Sequence, residues 1–194
     1  QNKRLSNGSL EDLPKKHVDT GAGLERIAAV MQGKTSNYDT DLFRPIITAQ
    51  EKVLGVSYDE NLVAHRAIAD HVRMLTFAIA DGVLPSNEGR GYVARRILRR
   101  AARFGSSMGC EEPFLAGLVD SVVDIMGSVY PEVSEKQAHV KNVIEAEEAI
   151  FNETLELVER FMSGSEAIEY DGEFIQAPET HFIVRPLQDR FDTY

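Results

Sequence analysis

Residues 61–104 read NLVAHRAIADHVRMLTFAIADGVLPSNEGRGYVARRILRRAARF. Two helical periods occupy this stretch, Asn61 to Ala80 and Tyr92 to Phe104, and Gly82 and Pro85 break the chain between them. The pattern continues outward in both directions. Leu42 to Leu54 precedes it, and Pro113 to Val129 and Glu135 to Phe161 follow, with Gly55, Gly105, Pro113 and Pro131 at the junctions. The longest of these segments carries Val140, Ile144, Phe151, Leu155, Val158 and Met162 at helical spacing, with glutamates over much of the remainder. That acidic side reads as a solvated face. After Gly164 the periodicity is lost, and Tyr170 to Tyr194 reads as irregular chain or short strands. The chain is therefore expected to be mainly α.

Upstream the character changes. Turn formers dominate up to Leu13-Pro14, and Asn7-Gly8-Ser9 reads as a turn, so a loop or hairpin should lead to a short strand at His17-Val18-Asp19-Thr20. Gly21-Ala22-Gly23 stops that strand. A helix from Leu24 to Gln32 follows, with Leu24, Ile27, Ala28 and Met31 on one face and Gly33 closing it. In Gly21-x-Gly23-x-x-Arg26 the two glycines come before a helix whose first N–H groups have no intrahelical partners, so the turn can approach a phosphate and donate to it. A dinucleotide fingerprint requires a small residue where Arg26 stands; an arginine there offers a positive fork suited to a terminal phosphate. Gly33-Lys34-Thr35 ends like a P-loop, but Ala28 occupies the position of the first glycine, so that reading fails.

Composition narrows the class. The chain has 194 residues, 43% of them apolar, enough for one good core or for a small domain joined to part of another. No apolar run approaches the roughly 18 residues of a membrane helix, and the N-terminus leads into polar sequence, so the cytoplasm or an organelle matrix is the expected compartment. Cys110 is the only cysteine and the five histidines are scattered, so no disulfide and no metal site are expected. His65 and His71 lie on the helix of residues 61–80 with no nucleophile nearby in sequence and read as structural. The balance of 21 basic against 31 acidic residues gives a net charge of −10, the wrong sign for a phosphate-backbone binder. The distribution points the other way, because six arginines fall between Arg90 and Arg103.

At about 100° per residue, Arg95, Arg99, Arg103, Arg96 and Arg100 fall at about 0, 40, 80, 100 and 140°. Val93, Ile97, Phe104 and Ala101 fall at about 160 to 240°, which predicts one basic and one apolar face. Tyr92 projects inside the basic sector, as an aromatic contact to a ribose or base does. A bland alternative also fits: the arginines could pair with the acidic helices of the same chain.

Two longer stretches carry a family resemblance. Val18-Asp19-Thr20-Gly21-Ala22-Gly23-Leu24-Glu25-Arg26-Ile27-Ala28-Ala29-Val30, with Ser36-Asn37-Tyr38-Asp39-Thr40-Asp41-Leu42-Phe43, closely resembles motif 3 and the adjoining segment of the alanyl-tRNA synthetases, which are class II enzymes. Ala22 departs from the methionine expected there. Ile68-Ala69-Asp70-His71-Val72-Arg73 and the run from Ile79 through Pro85-Ser86-Asn87 to Ala101 resemble the tRNA-recognition domain of the same family.

The resemblance implies a C-terminal remnant of a class II antiparallel sheet followed by a helical bundle. Residues 1–45 would be the end of the aminoacylation domain, and residues 46–194 the domain that recognises the tRNA acceptor stem. It implies that Arg26 holds the terminal phosphate of ATP, that Gly21 and Gly23 leave room for adenine and a small side chain, and that Asp19 pairs with the amino group of alanine beside Gly21. It further implies that Asn87 meets the G3:U70 wobble pair of tRNA(Ala), an amide offering a donor and an acceptor to base edges. Arg90, Tyr92, Arg95, Arg96, Arg99 and Arg100 would then bind nearby phosphates and riboses. The family's second contact is an aspartate in a Tyr-Asp-Thr-Tyr-Gly-like segment; Asp192 in Phe191-Asp192-Thr193-Tyr194 fits, with Asp171 as a rival. The parent enzyme uses ATP with magnesium. The family's zinc lies in an editing domain, so none is expected here, and without motifs 1 and 2 the isolated chain is expected to be inactive. Two other readings stay open from the residues alone: a free-standing RNA-binding module, and a helical interaction protein whose acidic helix docks a basic partner.

Overall fold

The computed structural model describes residues 2–15, 21–162, 168–170 and 173–175. It is mainly α, as expected. A short antiparallel hairpin, β1 (Asn2–Arg4) with β2 (Leu10–Asp12), comes first. Its turn places Gly8 at φ 85°, a left-handed conformation that glycine adopts without Cβ strain, and Gly8 N–H donates to the Leu5 carbonyl at 2.9 Å. The expected strand at residues 17–20 lies outside the described residues, as do Asp19, Asp171 and Asp192. Among the described residues seven α-helices follow, α1 (Leu24–Met31), α2 (Arg44–Leu54), α3 (Leu62–Ala80), α4 (Gly89–Ser107), α5 (Leu115–Met126), α6 (Pro131–Glu135) and α7 (Gln137–Met162), with a short 3-10 turn at Asn37–Asp39 between the first two. A second antiparallel pair, β3 (Ile168–Tyr170) with β4 (Glu173–Ile175), ends the described chain.

The helix ends follow local chemistry. Asn61 accepts from Ala64 N–H at 3.2 Å and starts α3, and Gly55 at φ 67° ends α2. Several boundaries differ from the sequence expectation by one to three residues, and two of them have a plain cause. Helix α4 begins at Gly89, three residues before the expected Tyr92, because Tyr92 N–H already donates to the Glu88 carbonyl at 3.1 Å across the two glycines. Pro131, expected only to punctuate, opens the five-residue α6, since a proline at the first helical position removes an N–H that has no helical partner anyway.

Helix α3 is the central element, packed against α2, α4, α5 and α7. Its Ile68, Leu75 and Ile79 are fully buried with Ile46 and Ile47 of α2, Leu98 of α4, Leu115 and Leu118 of α5, and Ile144 of α7. Lys136 Nζ donates to the Ala80 carbonyl at 2.5 Å and Lys141 pairs with Asp120 at 2.9 Å, tying α6 and α7 to the neighbouring helices. The apolar stripe expected on α1 is present but faces outward: Met31 is 82% exposed, Leu24 and Ile27 are also exposed, and Ala29 is the buried residue. Helix α1 is held to α3 by an ion pair, Arg73 to Glu25 at 2.7 Å, with the Arg73 guanidinium 4.1 Å from the centre of the Phe43 ring.

Candidate nucleic-acid interface

The Pro85-Ser86-Asn87-Glu88 turn lies directly against the start of α4. Gly91 makes this possible, because a Cβ there would collide with Ser86 Oγ and with the Leu84 carbonyl oxygen. Ser86 N–H donates to the Gly91 carbonyl at 3.1 Å, and Ser86 Oγ–H donates to the Glu88 carbonyl at 3.0 Å. The turn is thereby pinned, and Asn87 is exposed above the arginine helix.

The buried face of α4 is not the one the apolar residues predict. Gly91, Ala94, Leu98, Ala101, Ala102 and Gly105 are buried, whereas Val93 is 49% exposed and Ile97 and Phe104 are half-buried. The true core face is centred near 290° on the scale used above, roughly 90° from the expected one. Small residues face the core because they let neighbouring elements come close, as the Phe114 ring does against Gly105.

This rotation divides the arginines. Arg95 and Arg99 stand at the edge of the buried face and converge on Glu147 of α7, a residue whose side chain is only 7% exposed. Arg95 Nε lies 2.9 Å from Glu147 Oε1 and its Nη2 donates to Oε2 at 3.1 Å; Arg99 Nε donates to Oε1 at 3.0 Å. Arg95 Nη1 also donates to the Asn87 side-chain carbonyl. The intrachain pairing considered for the arginine helix thus holds for these two. Arg90, Tyr92, Arg96, Arg100 and Arg103 are exposed, Arg100 with its guanidinium 5.9 Å from the Phe104 ring centre. Arg90 falls at about 220°, away from the sector that Tyr92, Arg96 and Arg103 share.

The acidic side of α7 corrects the sequence reading as well. It was expected to be solvated, yet Glu147 and Glu148 are buried. Glu148 accepts from Phe114 N–H at 3.2 Å and Leu115 N–H at 3.0 Å, capping α5 from another helix, and burial pushes its pKa up to about 7. Glu147 and Gly91 are the positions that sequence reasoning missed. Only the i, i+4 spacing of Arg95 and Arg99 hinted that a single carboxylate could serve both.

At the other candidate site, Gly23 has φ 80° and immediately precedes α1, to which it offers no capping side chain. The Arg26 side chain folds over it, its Cδ 3.7 Å from where a Gly23 Cβ would stand. Arg26 and Gly21 are both exposed. His65 and His71 are packed inside the bundle. His65 Nδ1 lies 3.0 Å from the buried Gln50 amide, and burial lowers the pKa of both histidines. Cys110 Sγ donates to the Glu112 carbonyl at 3.3 Å, and burial raises its pKa. Among the described residues no group of three or more His, Cys, Asp or Glu is arranged to hold a metal ion, and no helix is long and apolar enough to cross a membrane.

Residues 1–178 match the tRNA synthetases class II (A), and the chain belongs to that family. Its curated relatives are named alanine–tRNA ligases. That of Fervidobacterium nodosum is 55% identical over 174 residues, covering 86% of this chain and 20% of its own length. The Chlorobium phaeobacteroides enzyme is 53% identical over 161 residues, covering 80% and 18%, and that of Thermotoga maritima is 57% identical over 152 residues, covering 77% and 18%. The chain thus spans about a fifth of the length of the curated relatives it matches.

Proposed function

We propose that this chain is the part of an alanine–tRNA ligase that joins the end of the aminoacylation domain, residues 1–45, to an acceptor-stem recognition domain, residues 46–194. The whole enzyme, in the cytoplasm or an organelle matrix, activates alanine with ATP and attaches it to tRNA(Ala). The observation that carries the reading is the exposed Asn87, on a turn pinned to the start of α4, the helix on which Tyr92 and Arg96 are also exposed. In this reading Asn87 reads the G3:U70 pair. The arginine helix, Arg90 through Arg100, supplies the positive potential for phosphates that the net charge of −10 denies the molecule as a whole. Asp192 or Asp171 approaches the stem from its other side.

Near α1, the turn of Gly21 and Gly23 at the helix start and the exposed Arg26 fork suit the terminal phosphate of ATP. Asp19 pairs with the alanine amino group in this reading. The outward apolar face of α1 is where the rest of the aminoacylation domain packs.

Binding of this chain to two acceptor-stem hairpins differing only in G3:U70 or G3:C70, at fixed low salt, tests the reading. Preference for the wobble hairpin by roughly tenfold, lost in Asn87→Ala, is expected. Equal, salt-sensitive binding to both hairpins overturns it.

A further inference from the structure

We propose that Glu147 and Arg95 form a clamp that fixes the orientation of the Asn87 amide, so that these two residues position the reading group and do not themselves contact RNA. The inference rests on the reading of Asn87 given above. It goes further by moving Arg95 out of the phosphate-binding set and by adding a residue of α7, some fifty positions away in sequence, to the recognition machinery.

The geometry is specific. An arginine presents its donors in a planar fork, and Arg95 uses this fork on two partners at once: Nη2 donates to Glu147 Oε2 at 3.1 Å and Nη1 donates to Asn87 Oδ1, while Nε stays within ion-pair distance of the carboxylate without a hydrogen bond. Glu147 is nearly buried and anchored a second time by Arg99, whose guanidinium also lies 5.6 Å from the Phe151 ring centre. The carboxylate is therefore a fixed point in the core, and the Arg95 fork transmits that position to an exposed turn. An asparagine amide free to rotate offers either its carbonyl or its NH2 to a base edge, and discriminates poorly between an acceptor and a donor. With Oδ1 held by a guanidinium that can only donate, the amide cannot flip without placing NH2 against N–H groups. The outward group is then the NH2, and Asn87 presents itself as a hydrogen-bond donor that selects an acceptor on the base pair.

The charge arrangement supports positioning over phosphate binding. Glu147 places a negative charge against both Arg95 and Arg99, which are partly buried, whereas Arg90 and Arg96 are exposed. Phosphates should accordingly be met by the exposed arginines.

The test uses Arg95→Lys, which keeps the charge but cannot span both partners, together with Glu147→Gln, Asn87→Ala and the double variant Asn87→Ala/Arg95→Lys. Each is titrated with the G3:U70 and G3:C70 hairpins over a range of salt. The 15N-resolved side-chain amide signals of Asn87 are followed in the free protein. We expect Arg95→Lys to lose most of the wobble preference, roughly tenfold, while the slope of log affinity against log salt stays unchanged. The double variant should discriminate no worse than Asn87→Ala alone, the non-additivity expected of residues acting through one another. The Asn87 amide should be restrained in the unaltered chain and mobile in Arg95→Lys and Glu147→Gln. A shallower salt slope in Arg95→Lys, or additive losses in the double variant, overturns the clamp, because Arg95 then acts on RNA directly. Preference retained while the amide becomes mobile overturns it too. No preference in the unaltered chain, with a restrained amide, instead overturns the reading of Asn87 and with it the clamp's part in recognition.

Discussion

Arg73 ties α1 to the bundle, alongside Gln32 at the helix end, which exchanges two hydrogen bonds with Asp41. Arg73 pairs with Glu25 at 2.7 Å while its guanidinium lies over Phe43, and Glu25 immediately precedes Arg26. The Glu25 pKa lies below the ordinary carboxylate value, first through its own backbone N–H and then through Arg73, against some opposition from burial. Replacing Arg73 with methionine keeps the stem packed on Phe43 and removes the charge-assisted hydrogen bond, worth about 1.5–3 kcal/mol. Amide exchange across residues 24–31 should then quicken by roughly tenfold or more, with the core of α3 and α5 unaffected. Unchanged protection of α1 would show that the pair does not hold it. At the same scale the histidines lose the catalytic role their residue type suggests: His65 and His71 are packed among core side chains and kept neutral by burial.

Helix α4 depends on two glycines facing different neighbours. Gly91 receives the turn carrying Asn87, and Gly105 receives the Phe114 ring from the start of α5. An added methyl at Gly91 meets the Leu84 carbonyl oxygen, a backbone atom that cannot rotate away. Gly91→Ala should therefore destabilise by about 1–3 kcal/mol in urea melts and displace the turn. Gly117 provides the opposite case. It sits exposed inside α5 with nothing within 4 Å of an added Cβ, so Gly117→Ala should stabilise by about 0.5–1 kcal/mol through reduced backbone freedom in the unfolded chain. If both substitutions shift the midpoint in the same direction, the account of close approach at Gly91 is wrong.

At the scale of the whole molecule, buried titratable groups work against one another as pH changes. Glu148 has a folded pKa of about 7 against an ordinary 4.5, so the fold holds a proton that the unfolded chain releases between those values. Its contribution to stability consequently rises as pH falls through that window. His65 and His71 have depressed values, so the unfolded chain takes up protons below about 6.5 that the fold excludes, and their contribution falls with acidification. Glu25, also depressed, is lost at still lower pH. Glu148→Gln keeps an acceptor for Phe114 and Leu115 N–H but cannot titrate. Relative to that variant, the unaltered chain should gain roughly 1–3 kcal/mol between pH 8 and pH 5, read as a shift in the difference of the two melting temperatures. A difference that stays constant across this range would mean that Glu148 is solvated like its neighbours on α7.

The sequence by itself determined that the chain is helical from residue 44 to residue 162, where most of the helices begin and end, that arginines gather on one of them, and which family it joins. These properties are local: period, caps, turn residues and continuous motifs survive in one dimension. Tertiary structure decided which face of α1 and of α4 is buried, and there the sequence misled, whereas Val140 and Ile144 of α7 are buried as their spacing predicts. Apolarity points to Val93, Ile97 and Phe104, yet α4 buries glycine and alanine, because closeness of approach outweighs side-chain size where elements cross. Composition likewise makes Glu147 and Glu148 look like surface charge. They are buried because the bundle brings two arginines and the two N–H groups at the start of α5 to them from more than thirty residues away. Along the chain such compensation between distant groups leaves only the i, i+4 spacing of Arg95 and Arg99, which does not say which carboxylate they share.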